Sequence, residues 1–147
     1  MAAGNWAGIF RPASLVRRDD ELGERARELL AMVGLDVAPE TMPDAMSYGA
    51  LKRLELARAL MNEPTLLLLD EPAAGLNPSE KLEMGRLIGR LAAQRITVVL
   101  IEHDMKLVMG VSDHVVVLNY GRCIAEGTPH EVARDPDVIA AYLGTRH

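Results

Sequence analysis

Two stretches place polar chemistry at the end of apolar runs. Leu66–Pro72 reads LLLLDEP, four leucines running into two adjacent carboxylates, and Ile96–Asp104 reads ITVVLIEHD. A buried strand wants the aliphatic residues, but packing does not ask for Asp70 and Glu71 side by side at its end. Successive strand residues point to opposite faces, so the two acids can do different work. Asp70 suits Mg²⁺, a hard cation that keeps several waters and takes few carboxylates. Glu71 can orient or deprotonate a water attacking phosphorus, and His103 can reach a phosphate oxygen. The plainer alternative is that Asp70 and Glu71 cap the turn at Pro72 and His103 is a satisfied turn histidine. A third stretch, MSYGALKRLELARAL (Met46–Leu60), opens a helix with Ser47, Tyr48 and Gly49. Free N–H groups, a hydroxyl and a glycine at the positive end of a helix dipole suit a phosphate, although Ser-x-Gly is commonly just a cap.

The elements that must position these groups follow from periodicity. Residues 1–18 carry no clear period, and Gly4, Gly8 and Pro12 predict an irregular or weakly helical lead-in. Leu22, Ala26, Leu29, Leu30 and Val33 recur at helical spacing from Asp19 to a stop at Gly34. Residues 35–46, with Pro39 and Pro43, read as a loop. A second helix runs from Ser47, its N-cap, to Met61, with Leu51, Leu54, Ala57, Leu60 and Met61 as its stripe. The two apolar runs read as strands buried on both faces, typical of a parallel sheet. Between them, Asn77-Pro78-Ser79-Glu80 starts a helix that turns Leu82, Leu87, Ile88, Leu91 and Ala92 inward. Val115–Gly127 alternates around Asn119-Tyr120-Gly121, a hairpin; Thr128-Pro129-His130-Glu131 starts another helix, and Asp135-Pro136 a last one closed by Gly144. Strand, helix, strand gives an α/β layered domain, in which ligands sit outside the carboxyl ends of parallel strands. Asp70, Glu71, Glu102, His103 and Asp104 would all lie there.

Composition narrows the classes. With 147 residues, 49% apolar, the chain can bury one aliphatic core, since aromatics are only 3%. Its net charge is −5 with scattered Lys and Arg, so there is no basic face for nucleic acid. The single cysteine, Cys123, cannot form an internal disulfide, which suits a reducing cytoplasm. No apolar run approaches the roughly 18 residues of a membrane span, and the first residues are not a secretory signal.

Taken together, the motifs resemble the ATP-binding subunits of ABC transporters. MSYGA looks like the family's signature motif, LLLLDEP its Walker B segment, AAGLN (Ala73–Asn77) its D-loop, and IEHD its switch-histidine segment. EPAAGLNP, EHDMKLVMG, NYGRCIAEGTP and the AAYLG tail are similar to the ATPases of branched-chain amino-acid importers, the longer of the two such subunits. The resemblance implies ATP and Mg²⁺ as cofactors, Asp70 holding Mg²⁺ through water, Glu71 as catalytic base and His103 as switch histidine. Ser47, Tyr48 and Gly49 would serve the ATP of an opposite subunit, with Gly75 and Asn77 in the D-loop. For Tyr48, packing at the helix start is an equal alternative, and Asn77 and Pro78 serve first as helix cap and first turn. Implied partners are a second ATPase subunit, in a homo- or heterodimer, the transmembrane permease subunits and, indirectly, an external solute-binding protein. The implied place is the cytoplasmic face of the membrane.

There are departures from the pattern. Ala50 stands where the signature commonly has Gln, Met46 stands for Leu, and the D-loop ends in Asn77 where many relatives have Asp. No G-x-x-x-x-G-K-[ST] phosphate loop, adenine-stacking aromatic or Q-loop glutamine is present. By this comparison the chain is the C-terminal half of an ABC ATPase. The expected fold is a partial P-loop NTPase domain, three-layered with a mostly parallel sheet, lacking the phosphate-loop strand between the switch-histidine strand and VVVL. It would comprise a helical-subdomain remnant and signature helix (1–62), a core with the Walker B segment, D-loop, switch histidine and hairpin (63–127), and C-terminal helices (128–147). Unpaired strand edges then predict poor stability and little or no ATP turnover by the chain alone. The alternatives are a non-catalytic module offering its signature face to a complete ATPase, and an ABC ATPase of DNA repair or translation. The latter fits poorly with the short spacing from signature to Walker B, the lack of heptads and the acidic balance.

Overall fold

Helix α1 (Ala13–Met32) ends where glycine permits a left-handed turn. Gly34 has φ 73°, its N–H donates to Ala31 O (3.0 Å), and the Leu35 N–H donates to Leu30 O (2.8 Å). Those two bonds satisfy carbonyls that the helix end would otherwise orphan. The computed structural model describes residues 13–38 and 40–142. The lead-in expected over residues 1–18 is thus helical from Ala13; its earlier part, with Gly4, Gly8 and Pro12, lies outside the described residues, as do Pro39 and Gly144.

The chain divides into two compact units, Met1–Pro64 and Thr65–His147. In the first, α1 packs on α2 (Tyr48–Leu60), and a single 3₁₀ turn (Pro43–Ala45) precedes α2 in the predicted loop. Leu29 and Val33 of the predicted α1 stripe are buried, whereas Leu22 is exposed. In α2, Ala57 and Leu60 are buried as expected, and Leu56, not foreseen, joins them.

The second unit opens with β1 (Leu66–Asp70), followed by α3 (Pro78–Ala93) and β2 (Thr97–Ile101). β1 and β2 pair in parallel, from Leu66 opposite Thr97 to Asp70 opposite Ile101. The expectation that both strands are buried on both faces is not met. Leu67 is buried and Leu69 half-buried, but Leu66, Leu68, Val99 and Ile101 are exposed, Leu68 by 69%. The reason is coverage: α3 packs on β2 from one side, and the opposite face of this two-stranded sheet stays open. In α3 the buried set is Met84, Gly85, Leu87, Ile88 and Leu91, so the inward phase runs i, i+3, i+4, i+7 from Met84. The predicted Leu82 and Ala92 fall off that stripe and are exposed.

A short helix, α4 (Met105–Val111), follows β2 and holds Lys106, in keeping with the helical pattern around that lysine. Strands β3 (Val115–Asn119) and β4 (Arg122–Gly127) form the predicted hairpin. Tyr120 (φ 45°) and Gly121 (φ 75°) supply the two positive φ values that a type I′ turn needs. Val115 and Val117 of β3 pack with Val132 of α5 (Pro129–Val132) and Val138 of α6 (Pro136–Tyr142). The β1–β2 and β3–β4 pairs are separate two-stranded sheets, with no ladder from β2 to β3 among the described residues. That gap lies between the same two strands where the resemblance puts the missing phosphate-loop strand.

Candidate functional site

The rim acids sit where parallel strands end. The Glu71 N–H donates to Ile101 O (2.9 Å), carrying the β1–β2 ladder one residue beyond the strands, and then both chains turn away. Glu71 takes φ 46°, a left-handed conformation that costs a non-glycine residue free energy. The next residues, Pro72 and Ala73, are buried. Gly75, at φ 75°, turns the chain where a side chain would be strained, and Leu76 is buried again. Asn77 then starts α3: its Oδ1 accepts from the N–H groups of Ser79 and Glu80 (both 3.0 Å) and from the Ser79 hydroxyl (2.6 Å). Glu80 returns the contact, its Oε2 accepting from the Asn77 N–H at 2.9 Å. The capping role foreseen for Asn77 and Pro78 is therefore present in full.

His103 meets Glu71. Its Nδ1 lies 3.2 Å from Glu71 Oε1, with both side chains more than half exposed, and 4.0 Å from Oε2 of the buried Glu102. The pair comes from two segments 32 residues apart in sequence, joined only because their strands are neighbours in one parallel sheet. Asp70 ends β1 on the face that carries Leu66 and Leu68. Among the described residues no hydrogen bond or ion pair engages its carboxylate, and no group of three acid, histidine or cysteine side chains could hold a metal. One unengaged carboxylate at a strand end fits Mg²⁺ held mainly by water and substrate oxygens, not a cage built by protein.

Next to this pair lies a network that no sequence motif announces. Asp104 caps α4 through Oδ1, accepting from the Lys106 (3.1 Å) and Leu107 (3.2 Å) N–H groups, while its Oδ2 takes Lys81 Nζ of α3 at 2.8 Å. The hydrogen bond from Lys81 is the main cause holding the Asp104 carboxyl below its ordinary range, helped by the Leu107 N–H; the same bond raises Lys81. The signal in the sequence was Asp104 before a short apolar run, the cap position of a helix.

In the first unit, Ser47 is the N-cap of α2, its Oγ accepting from the Ala50 N–H at 3.2 Å. Ser47 and Tyr48 are exposed and Gly49 is buried, so the helix start presents a hydroxyl and a phenol to solvent. Tyr48 is 52% exposed and lies under Lys52 Nζ at 5.7 Å from its ring centre, a packing contact local to the helix start.

Comparison with known proteins agrees with these motifs. The sequence profile of a family described as ABC transporter matches residues 6–74, and that of a family described as branched-chain amino acid ATP-binding cassette transporter matches residues 122–147. The high-affinity branched-chain amino acid transport ATP-binding protein BraF of Pseudomonas aeruginosa is 47% identical over 94% of this chain and 54% of its own length. LivG of Escherichia coli, described in the same words, is 43% identical over 98% of this chain and 57% of its own length. Among solved structures, the ADP conformation of MJ1267, an ATP-binding cassette of an ABC transporter, superposes with a TM-score of 0.76 at 29% identity, covering 97% of this chain and 54% of that one. CbiO1 from Clostridium perfringens, part of an ABC transporter complex, gives 0.72 at 31% identity, covering 90% and 51%. The chain thus spans about half the length of the relatives it matches. Its fold is that of part of an ABC ATPase domain. Within that class, the chain is similar along nearly its whole length to ATP-binding proteins of branched-chain amino-acid ABC transporters.

Proposed function

We propose that this chain is the signature, Walker B, D-loop and switch-histidine portion of an ATP-hydrolysing importer subunit, serving branched-chain amino-acid uptake. The single observation that carries this reading is the Glu71–His103 contact of 3.2 Å across the ends of two parallel strands. In this reading Glu71 receives the proton of the hydrolytic water, and His103 holds Glu71 in place. The Nδ1–H of His103 donates to Glu71 Oε1 and the far side of the ring reaches toward a phosphate oxygen, leaving Glu71 Oε2 for the water. Asp70 would hold Mg²⁺ through water, and the ion would supply positive charge to offset that building on the phosphate oxygens. Ser47, Tyr48 and Gly49 serve the ATP held by a second ATPase subunit, and Gly75 and Asn77 form the D-loop. Permease subunits and an external solute-binding protein complete the transporter, which places this subunit at the inner membrane face; no helix among the described residues is long and apolar enough to cross a membrane.

The open face and the gap between β2 and β3 favour a chain that does not turn over ATP by itself. The test joins it to the part of BraF that it does not cover and measures Mg-ATP hydrolysis. Turnover in the joined protein, at least a hundredfold lower in Glu71→Gln and in His103→Ala, is expected, with none from the chain alone. A folded joined protein without turnover, or a fully active Glu71→Gln variant, refutes the reading. If the chain is instead a signature-face module, it will associate with intact BraF in a MgATP-dependent way that Ser47→Ala weakens, whatever Glu71 is.

A further inference from the structure

We infer that Glu102 is the positioning residue that holds the Glu71 and His103 turns against each other, an inference resting on the role proposed for that pair. Its side chain is 1% exposed, and the residue next to it in sequence is the histidine of the pair. Oε1 accepts from the N–H of Ala73, two residues beyond Glu71, at 3.0 Å. Oε2 accepts from the N–H groups of His103 (3.1 Å) and Asp104 (3.4 Å). One buried carboxylate thereby takes three backbone donors from two turns whose strands are 29 residues apart at this point. Ala73 is itself buried, so its N–H has no access to water as a substitute acceptor. The linkage continues through Asp104 to α4 and to Lys81 on α3, so both strand ends and two helices converge on it.

The chemistry selects glutamate at this position. All three partners are donors, and only an ionised carboxylate offers acceptors on both oxygens. Glutamine has nearly the same shape, but its amide NH₂ would face N–H donors on one side or the other. It can serve the Ala73 turn or the His103 turn, never both. Aspartate is one methylene shorter and cannot span the two.

Residue-resolved hydrogen exchange on the full chain, read by mass spectrometry at low concentration, tests this. In Glu102→Gln with unchanged far-UV circular dichroism, the Ala73 amide, or the His103 and Asp104 amides together, should exchange at least tenfold faster. The Glu131 amide, which donates to Thr128 Oγ1, serves as an internal control and should not change. A space-filling role for Glu102 is rescued by glutamine, so wild-type protection at all three amides in that variant overturns the inference. If Glu102→Gln does not fold, the wild-type chain decides: the three amides must exchange at least tenfold slower than unstructured peptide, and exchange at the peptide rate overturns it. Neither readout uses ATP hydrolysis, so loss of the tether and loss of the proposed activity are separately visible.

Discussion

Replacing Glu71 by glycine and, separately, by alanine asks whether the proposed base is held at a cost to stability. Its φ of 46° lies where a side chain clashes with its own backbone, a penalty of roughly 1–2 kcal/mol that glycine does not incur. Both replacements remove the carboxylate and its exposed contact with His103, so that term cancels between them. Glycine loses about 0.4–1 kcal/mol against alanine through the greater freedom of its unfolded chain. The balance leaves Glu71→Gly more stable than Glu71→Ala by about 0.5–1 kcal/mol. Asp70, one residue earlier, is extended in β1, where glycine only weakens a strand. There the order reverses, with Asp70→Gly below Asp70→Ala by about 0.5–1 kcal/mol. Urea unfolding followed by circular dichroism reads both pairs; with a slope of ~1.5 kcal/mol per M, the midpoint moves by about 0.3–0.7 M in opposite directions at the two positions. If glycine is the weaker residue at both positions, the left-handed turn is not strained and the argument fails. If the signs reverse, Glu71 sits in a conformation that backbone energetics alone would have filled with glycine, which is what a carboxylate kept for chemistry looks like.

Three further outcomes are expected. The Asp104 carboxyl is lowered from its ordinary 3.8 by its Lys81 bond, so its contribution is full above that pH and is lost as acid passes through the lowered folded value. Lys81 is raised from 10.5, so its share is full below that pH and disappears as alkali passes the raised value. Asp104→Asn keeps a side-chain oxygen for the helix cap but should flatten the loss of stability below pH 3.8 in acid unfolding; an unchanged acid limb counts against the pair. Asn77→Ala should cost about 1 kcal/mol in the same urea assay while Asn77→Asp costs little, because either Asx oxygen caps α3; equal losses would show that the cap is not what Asn77 supplies. Leu68→Lys with Ile101→Lys should cut self-association and dye binding without lowering secondary structure, since Leu68 and Ile101 are 69% and 62% exposed on one open face. Unfolding by the double change would mean that the face is packed after all.

How much of this was legible depends on what each residue answers to. The N-caps at Ser47, Asn77 and Thr128 were readable because capping is local, a matter of one side chain and the next three N–H groups. The hairpin turn was readable for the same reason. The phase of α3 was readable at Leu87, Ile88 and Leu91 but not at the helix start, where Leu82 and Met84 are both apolar and only the position of β2 and α4 decides which one turns inward. Burial of β1 and β2 on both faces was wrongly expected, since a continuous apolar run reports the sheet a strand is made for and not the cover present on it.

The site divides the same way. Asp70, Glu71 and His103 were picked out by residue type at strand ends, and the parallel register then placed Glu71 against His103. Residue type alone marks Glu102 as a rim acid without a role, but its position along the strand says more. In β2, Val98 and Leu100 are the more buried residues while Thr97, Val99 and Ile101 are exposed, and continuing that alternation turns Glu102 inward. An ionisable group facing a core must find partners or lose its charge. Here three N–H groups from two turns satisfy it. Parity along a strand shows that such an acid needs donors, but only the pairing of β1 with β2 says that the donors belong to the turn carrying Glu71. A carboxylate required by both turns at once is a stronger constraint on this site than the exposed Glu71–His103 contact itself, because the contact can break into water while the buried acceptor cannot be left empty.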